Sequence, residues 1–223
     1  MTPDDLEFLR STEWLSSFSK TTSEEILKRC SIVEYTHGQR VHKKGDKSDG
    51  LQGVISGGIR YTAVTASGYE TSFAVVISGD WAGNLSSIAD FGKSHDGFAI
   101  GALRIALLSS ADIEDLKHCC DDFYPILINN LCLSMRDAFE EIDMILSTTP
   151  EQRLAWRLCD FCVHAAGENA VLFNQQDLAA LVGVSRQSIN KILQKWAQQD
   201  LIQIEYGKLN ILDIERLRAI VRL

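Results

Sequence analysis

The stretch that decides the fold runs from Asn174 to Ile204 and reads NQQDLAALVGVSRQSINKILQKWAQQDLIQI. Its first part predicts a short helix that opens at Asp177 and ends at Gly183, because glycine tolerates the left-handed backbone or close packing of a tight turn. Ser185 is then well placed to N-cap a second helix. Two short helices joined in this way have the geometry of a helix-turn-helix, whose second helix enters the major groove of DNA.

The second helix is predicted to have two contrasting faces. Its apolar residues recur at spacings of three and four, which places them on one stripe of a helix. The opposite face carries long hydrogen-bond donors suited to bases and phosphates, with no carboxylate among them. The residues of this polar face are Arg186, Gln187, Asn190, Lys191 and Gln194. A solvated helix in an ordinary helical hairpin is the alternative explanation.

The segments that flank these helices favour the DNA-binding interpretation. Leu201–Leu212 reads as two short strands around a turn that contains glycine, and Val171–Phe173 reads as a third strand. A helix-turn-helix with a small hairpin beside it is a winged helix.

Composition limits the class of protein. The chain has 223 residues, of which 45% are hydrophobic, and this is enough for two globular domains. No run approaches the roughly 20 apolar residues of a membrane helix. The acidic start, Met1–Asp5, has no apolar run behind it, so no signal peptide is expected and the cytoplasm is the expected compartment.

The net charge of −8 is unevenly distributed along the chain. Up to Thr149 there are 13 Lys or Arg against 22 Asp or Glu, whereas from Pro150 onward there are 9 against 8. The acidic excess therefore lies away from the predicted groove-reading helix. A nearly neutral C-terminal part predicts modest nonspecific DNA affinity, because phosphate neutralisation supplies most of that affinity.

The six cysteines are expected to be reduced and structural. They are Cys30, Cys119, Cys120, Cys132, Cys159 and Cys162. Cys159 and Cys162 have a metal-like spacing, but they lie in a helical pattern without a second such pair. A zinc or iron–sulfur site needs four clustered ligands, and the sequence does not contain them.

The N-terminal part begins with two predicted helices, Leu6–Phe18 and Ser23–Arg29, the second capped by one of residues 21–23. From Ser31 to Ser109 the pattern changes to short β-branched runs separated by glycines. Closely spaced strands with glycine turns predict a β-barrel or roll. The predicted runs are 32–35, 39–42, 53–55, 59–64, 71–76, 97–100 and 103–108.

A long helix is predicted from Asp122 to Leu146, after a short one at Ala111–Lys117. Its apolar residues form a narrow seam that suits pairing with an identical helix; packing on the chain's own roll is the alternative. The seam consists of Ile128, Leu131, Met135, Ala138, Ile142 and Ile145. Residues 147–150 are expected to form a hinge, and Thr149 is expected to cap a helix over Glu151–Ala166 with Pro150 at its first position.

This order of elements resembles the cyclic-AMP receptor protein and fumarate–nitrate reductase regulator family of bacterial transcription factors, in short the CRP/FNR family. The motifs that carry the resemblance are GD at 45–46, GDWAGNL at 79–85, TPEQRLA at 149–155, QDLA at 176–179 and VSRQSINK at 184–191. The resemblance implies an α+β fold: a jelly-roll sensor domain like those that bind cyclic nucleotides at 1–118, a dimerisation helix and hinge at 119–149, and a winged helix-turn-helix at 150–223.

The resemblance also implies which residues contact double-stranded DNA. Arg186, Gln187 and Lys191 occupy the base-reading positions, Ser185 and Ser188 are candidates for phosphate contacts, and Asn190 lies on the same face. Arginine pairs with guanine and glutamine with adenine. Because family members often have glutamate where this chain has Gln187, its DNA site is expected to differ from theirs.

The predicted sensor lacks the residues with which the family holds cyclic AMP. The ribose-binding glutamate is replaced by Asn84, the phosphate-binding Arg-Ser pair falls at Ser94–Asp96 without an arginine, and the base-contacting pair is Ala138–Phe139. Cyclic AMP is therefore not expected as the effector. Iron–sulfur sensing is disfavoured as well, because only Cys30 precedes the roll.

Several alternatives remain open for the effector of the predicted sensor. Haem is one, since histidines occur at positions 37, 42, 95 and 118; an unidentified ligand, or none, is another. A ligand pocket would be lined by Gly83, Asn84, Ser94, His95 and Phe139. The resemblance leaves RNA polymerase open as a partner. A cyclic-nucleotide module serving a partner enzyme would not explain the winged helix, and a metal enzyme of the cupin kind would need a His-x-His motif, so no enzymatic activity is expected.

Overall fold

The computed structural model describes residues 1–64, 70–89, 91–164, 170–171, 175–205 and 208–222. Contacts between Cα atoms divide the chain into two units. The first comprises Met1–Tyr61 and Val76–Ala138, and the second comprises Thr62–Val75 and Phe139–Leu223. The domain boundaries expected after residues 118 and 149 remain predictions.

Three short helices open the first unit: α1 (Pro3–Ser11), α2 (Glu13–Ser16) and α3 (Lys20–Arg29). The single helix predicted for Leu6–Phe18 is wrong, because Thr12 ends α1 and caps α2, with its hydroxyl accepting from the Leu15 amide. The cap predicted within residues 21–23 is wrong too: Ser19 caps α3 one turn earlier.

An ion pair between Asp5 and Arg104 links α1 to the sheet. Asp5 is 3% exposed, and both of its carboxylate oxygens accept hydrogen bonds from the Arg104 guanidinium at 2.8 and 3.1 Å. These bonds, helped by the Thr2 amide, lower the pKa of Asp5 to about 2. The bidentate geometry is the strong form of this interaction.

The roll consists of β1 (Ser31–Tyr35), β2 (Arg40–His42), β3 (Gly50–Val64), β4 (Glu70–Ile77), β5 (Trp81–Ala82) and β6 (Asp96–Ser109). The main strand order is β1-β6-β3-β4, with β2 paired to β6 and β5 paired to β3. In the antiparallel β1–β6 ladder, Val33 lies opposite Ile105. A short helix that the sequence did not predict, α4 (Asn84–Ile88), follows β5.

In two places the sequence predicts a pair of strands where the structure has one long strand. Residues 53–55 and 59–64 both belong to β3, and residues 97–100 and 103–108 both belong to β6. Gly57 (φ +72°) and Gly101 (φ +65°) lie against one another where the two strands run side by side. A Cβ on Gly57 would come within 2.6 Å of the Ile100 carbonyl oxygen, so the two strands continue through a bend that only glycine permits.

The first unit continues with α5 (Ser110–Cys119) and α6 (Phe123–Ser147), close to the predicted bounds. One apolar core joins the N-terminal helices to the sheet and to the start of α6, where Phe123 and Leu127 are fully buried. A second core fills the roll around Val54, Ile59 and Leu103. None of the described helices is both long and apolar enough to cross a membrane.

The second unit contains the predicted winged helix-turn-helix. Its elements are α7 (Pro150–His164), β7 (Ala170–Val171), α8 (Gln175–Val182), α9 (Arg186–Gln198), β8 (Ile202–Glu205), β9 (Lys208–Ile211) and α10 (Ile214–Val221). The small sheet has the order β7-β9-β8. The predicted end of α7 at Ala166, strand residues 172 and 173, and the wing turn at 206–207 lie outside the described residues. The α+β fold class is confirmed.

Candidate DNA interface and sensor pocket

The turn between α8 and α9 has the predicted geometry. Gly183 adopts φ +74°, a left-handed conformation that L side chains rarely adopt. The Val184 amide donates to the Ala179 carbonyl at 3.0 Å, which closes the end of α8. Ser185 caps α9, with its hydroxyl accepting from the Ser188 amide at 3.1 Å. These local bonds set the direction in which α9 leaves the turn.

The two faces of α9 separate as predicted. Ile189, Leu193 and Trp196 are at most 1% exposed and form the buried stripe. The proposed contact residues are exposed, namely Ser185, Arg186, Gln187, Ser188, Asn190 and Lys191. The structure thus brings them together on one solvent-facing surface that begins at the N-terminus of the helix, the end at which recognition helices contact bases.

A carboxylate on α7 anchors the buried side of α9. The indole nitrogen of Trp196 donates to Glu151 at 2.9 Å, and the Lys195 ammonium lies 2.8 Å from the same oxygen. Partial burial raises the pKa of Glu151, but the hydrogen bonds from Lys195 and Trp196 outweigh this and leave it below its usual value. The α7 helix therefore supports α9 on the side opposite its polar face.

Two arginines of α7 that the sequence reasoning missed connect the helices of the second unit. Arg153 donates to the carbonyls of Thr148 (2.6 Å) and Val182 (3.2 Å), which lie just beyond the end of α6 and at the end of α8. Arg157 forms a hydrogen-bonded ion pair with Glu141 of α6. The only signal in the sequence was two basic residues on α7, because their partners lie outside that helix.

Comparison with known proteins identifies the architecture. Residues 152–220 match the family model described as the Crp-like helix-turn-helix domain, which spans the helices and wing described above. The C-terminal part of the chain is therefore a Crp-like helix-turn-helix domain, and the chain resembles the CRP/FNR family. It is a transcription regulator with a helix-turn-helix DNA-binding domain.

Similarity to members of the CRP/FNR family extends beyond this domain. The chain is 23% identical to the cyclic AMP receptor protein of Thermus thermophilus, over 83% of this chain and 86% of that protein. It is 25% identical to a CRP-like cAMP-activated global transcriptional regulator of Mycobacterium tuberculosis, over 86% and 88%. The structure of FixK2 from Bradyrhizobium japonicum superposes with a TM-score of 0.76 at 13% identity, over 86% of this chain and 96% of that one, so the fold is shared.

The predicted pocket residues lie on separate segments of the chain. Gly83 (φ +97°) touches β3, since a Cβ there would come within 2.5 Å of the Gly50 carbonyl. Asn84 opens α4, is 7% exposed, and has no partner for its Oδ1 atom among the described residues. Ser94 is exposed and its hydroxyl lies 2.9 Å from the His95 ring. Phe139 belongs to the second unit and is 56% exposed.

A buried lysine beside these residues was also missed. Lys93 is 7% exposed, and its ammonium lies 2.6 Å from the Asp49 carboxylate, which also accepts from the Gln52 amide at 2.9 Å. Lys93 directly precedes Ser94–Asp96, the segment that corresponds to the phosphate-binding Arg-Ser pair of the family. Because a buried charge requires a partner, Asp49 neutralises the buried ammonium of Lys93.

His42 lies close to this ion pair. It is 8% exposed, packs against the Tyr61 ring at 5.6 Å, and its Nδ1 atom has no hydrogen-bond partner among the described residues. Burial, and then repulsion from Lys93, lower its pKa to about 4. His42 is therefore neutral at neutral pH.

This lowered pKa makes stability depend on pH with a definite sign. The unfolded chain binds a proton at His42 near pH 6.5, whereas the folded chain does so near pH 4. The contribution of neutral His42 to the free energy of unfolding is therefore complete above pH 6.5 and is lost as the pH falls towards 4. Allowing for solvent screening, we expect a loss of roughly 1–2 kcal/mol. Proton NMR should show one imidazole still neutral at pH 5.5, and His42→Gln should remove that resonance. A His42 signal that titrates near 6.5 would contradict this expectation.

Metal binding has little support in the geometry. Across the described ranges, no three or more His, Cys, Asp or Glu side chains are grouped to hold a metal ion. Cys159 and Cys162 are half-buried on α7, and burial raises the pKa of the Cys162 thiol.

The predicted seam of α6 leaves much apolar surface in water. Met135, Ile142 and Ile145 are 59%, 49% and 54% exposed, whereas Ile128 and Leu131 are half-buried. Ala138 is exposed in the same stripe. An exposed apolar row of this length on one helix is typical of a protein–protein interface.

Proposed function

We propose that the chain is a homodimeric, sequence-specific regulator that reads a pseudo-palindromic DNA site with α9 of each protomer and acts in the cytoplasm. The observation that carries the proposal is the exposed face of α9, which is rich in donors and free of carboxylates and which rests on a fully buried stripe. A surface helix of an ordinary helical hairpin would not need so rigid a base.

Each polar residue of this face has a role that follows from its chemistry. Arg186, in the first turn, is suited to bidentate pairing with guanine, and Gln187 with adenine. Lys191 lies one turn further and can reach guanine or phosphate. The Ser185 hydroxyl caps the helix and lies 3.0 Å from the Ser188 hydroxyl, and both hydroxyls can still donate to phosphate. The Asn190 amide accepts from Gln175 at 3.4 Å and is thereby oriented on the same face.

Dimerisation would set the spacing of the two recognition helices. Paired α6 helices related by a two-fold axis would place the half-sites about one helical turn apart on one face of the duplex. In each protomer, Arg153 and Arg157 connect the end of α6 to α7 and α8 by the bonds described above. A shift in α6 would therefore change the orientation of α9, and the regulator would switch between two arrangements.

The sensor is proposed to respond to something other than cyclic AMP, or to no ligand. The relatives' names associate them with cyclic AMP, but here an uncharged Asn84 replaces the family's ribose-binding carboxylate, and Lys93 is paired with Asp49. A cyclic phosphate would have to displace this internal carboxylate, and the carboxylate would then repel it. RNA polymerase is a proposed partner on the grounds of the family resemblance alone.

The test begins with selection of the DNA site from random sequence. We expect Arg186→Ala to weaken binding to the selected site by about 1–3 kcal/mol and to relax specificity at a single base position. Arg218→Ala is the matched control, because Arg218 is exposed on α10, where it pairs with Glu215 three residues away. Unchanged affinity and specificity in Arg186→Ala would reject the assignment of α9.

A second candidate is the same regulator gated by a cyclic nucleotide or haem. The observation that favours a ligand is a pair of buried acceptors, Gln52 Oε1 and Asn84 Oδ1, without partners among the described residues. Calorimetry with cyclic AMP separates the candidates: micromolar binding would support gating by the nucleotide. An absorption spectrum recorded after incubation with haem tests whether haem is the gating ligand.

A further inference from the structure

Two adjacent cysteines lie at the joint between α5 and α6. Cys119 is the last residue of α5 and is exposed, whereas Cys120 caps that helix and is 8% exposed. The Cys120 amide donates to Leu116 at 3.0 Å, and its carbonyl accepts from Phe123 at 3.1 Å. The pair therefore belongs to the backbone that ends one helix and begins the other, and the functions proposed above make no use of it.

The two sulfur atoms are 3.7 Å apart. Two thiolates bound to one atom at about 2.3 Å, with an angle of roughly 95–110° between the bonds, would be separated by roughly 3.4–3.8 Å. A direct disulfide fits less well, because neighbouring Cα atoms are about 3.8 Å apart, whereas disulfides usually need at least 4.4 Å. The side chains are thus already placed for one atom to bridge them.

The surroundings act on the buried thiol of Cys120. Burial, followed by the hydrogen bond with Cys119, raises the pKa of Cys120, and Asp122 adds to this effect. The Arg29 guanidinium interacts electrostatically with both sulfurs. Asp122 cannot serve as a third ligand without losing its own bonds, since it accepts from the Ser19 amide at 2.8 Å and from the Thr22 hydroxyl. A two-sulfur bridge is therefore the arrangement that the site offers.

We propose that Cys119 and Cys120 form a binding site for trivalent arsenicals, in which one As(III) atom bridges the two sulfurs. Two S–H bonds and two As–OH bonds break, two As–S bonds form, and two molecules of water leave. Arsenic stays trivalent, so no oxidant or reductant is needed. The exposed Cys119 reacts first, and Cys120 then closes the ring.

The test uses phenylarsine oxide with the reduced full-length protein. Native mass spectrometry should show one phenylarsenic group per chain, resistant to excess monothiol and removed by a small dithiol. Cys119→Ser, at an exposed position, should abolish this monothiol-resistant adduct while circular dichroism shows an unchanged fold. Cys120→Ser should do the same if it folds, but the proposal does not depend on it.

The two cysteines of α7, Cys159 and Cys162, supply the matched control. Cys159→Ser should keep the monothiol-resistant adduct, because it leaves Cys119 and Cys120 unchanged. Loss of the adduct in Cys159→Ser with retention in Cys119→Ser would overturn the proposal, as would the absence of any such adduct in the unmodified chain. These outcomes leave the DNA-binding proposal untouched, since its test involves only α9.

Discussion

Replacing Trp196 with alanine is expected to destabilise the DNA-binding part of the chain by about 3–5 kcal/mol. Trp196 is fully buried beneath α9, and its indole nitrogen donates to Glu151. Removing the ring leaves a cavity and also deprives a partly buried carboxylate of a donor, which adds to the loss. Because such a domain is stable by only about 5–15 kcal/mol in total, specific DNA binding should fall together with the free energy of unfolding.

The measurement is urea unfolding followed by far-ultraviolet circular dichroism, with DNA binding measured in parallel. Trp156→Ala is the matched control: it removes the same ring from α7 at a half-buried position, where the ring lies 4.7 Å from the Arg157 guanidinium. We expect a clearly smaller loss there. Equal losses in the two variants would show that Trp196 is not the main support of α9.

Placing glutamate at Met135 is expected to dissociate the dimer and to weaken operator binding by on the order of 100-fold, or about 2.7 kcal/mol. In the single chain Met135 is 59% exposed, so a carboxylate there is tolerated. In a paired seam, however, the same carboxylate would lie opposite its own copy in an apolar interface, which is unfavourable for both charges. The protomer should therefore remain folded while the dimer is lost.

Analytical ultracentrifugation gives the oligomeric state, and titration of the selected DNA site gives the affinity. Leu133→Glu is the control, because Leu133 is also apolar and exposed on α6 but lies roughly half a turn away from Met135. We expect Leu133→Glu to remain dimeric. A tight dimer in Met135→Glu would contradict the seam, and dissociation of Leu133→Glu alone would place the interface on the other side of α6.

Much of the candidate interface could be predicted because its determinants are local. A helical period of 3.6 residues fixes which side chains of α9 share a face, and the cap and the turn depend on Ser185 and Gly183 within a few residues. The strand boundaries were harder to predict. Gly57 and Gly101 read as breaks between strands, whereas in the roll they are bends at which two continuous strands lie close together.

Short-range spacing and motifs along the chain were enough to predict the class of fold, the resemblance to the CRP/FNR family and the polar face of α9. Only the tertiary structure showed that Lys93 meets Asp49 and that Arg153 connects the ends of two other helices. The reason is physical: the partner of a charged side chain depends on which distant segments fold against it. In this chain, such a contact places the buried ammonium of Lys93 in an internal ion pair with Asp49.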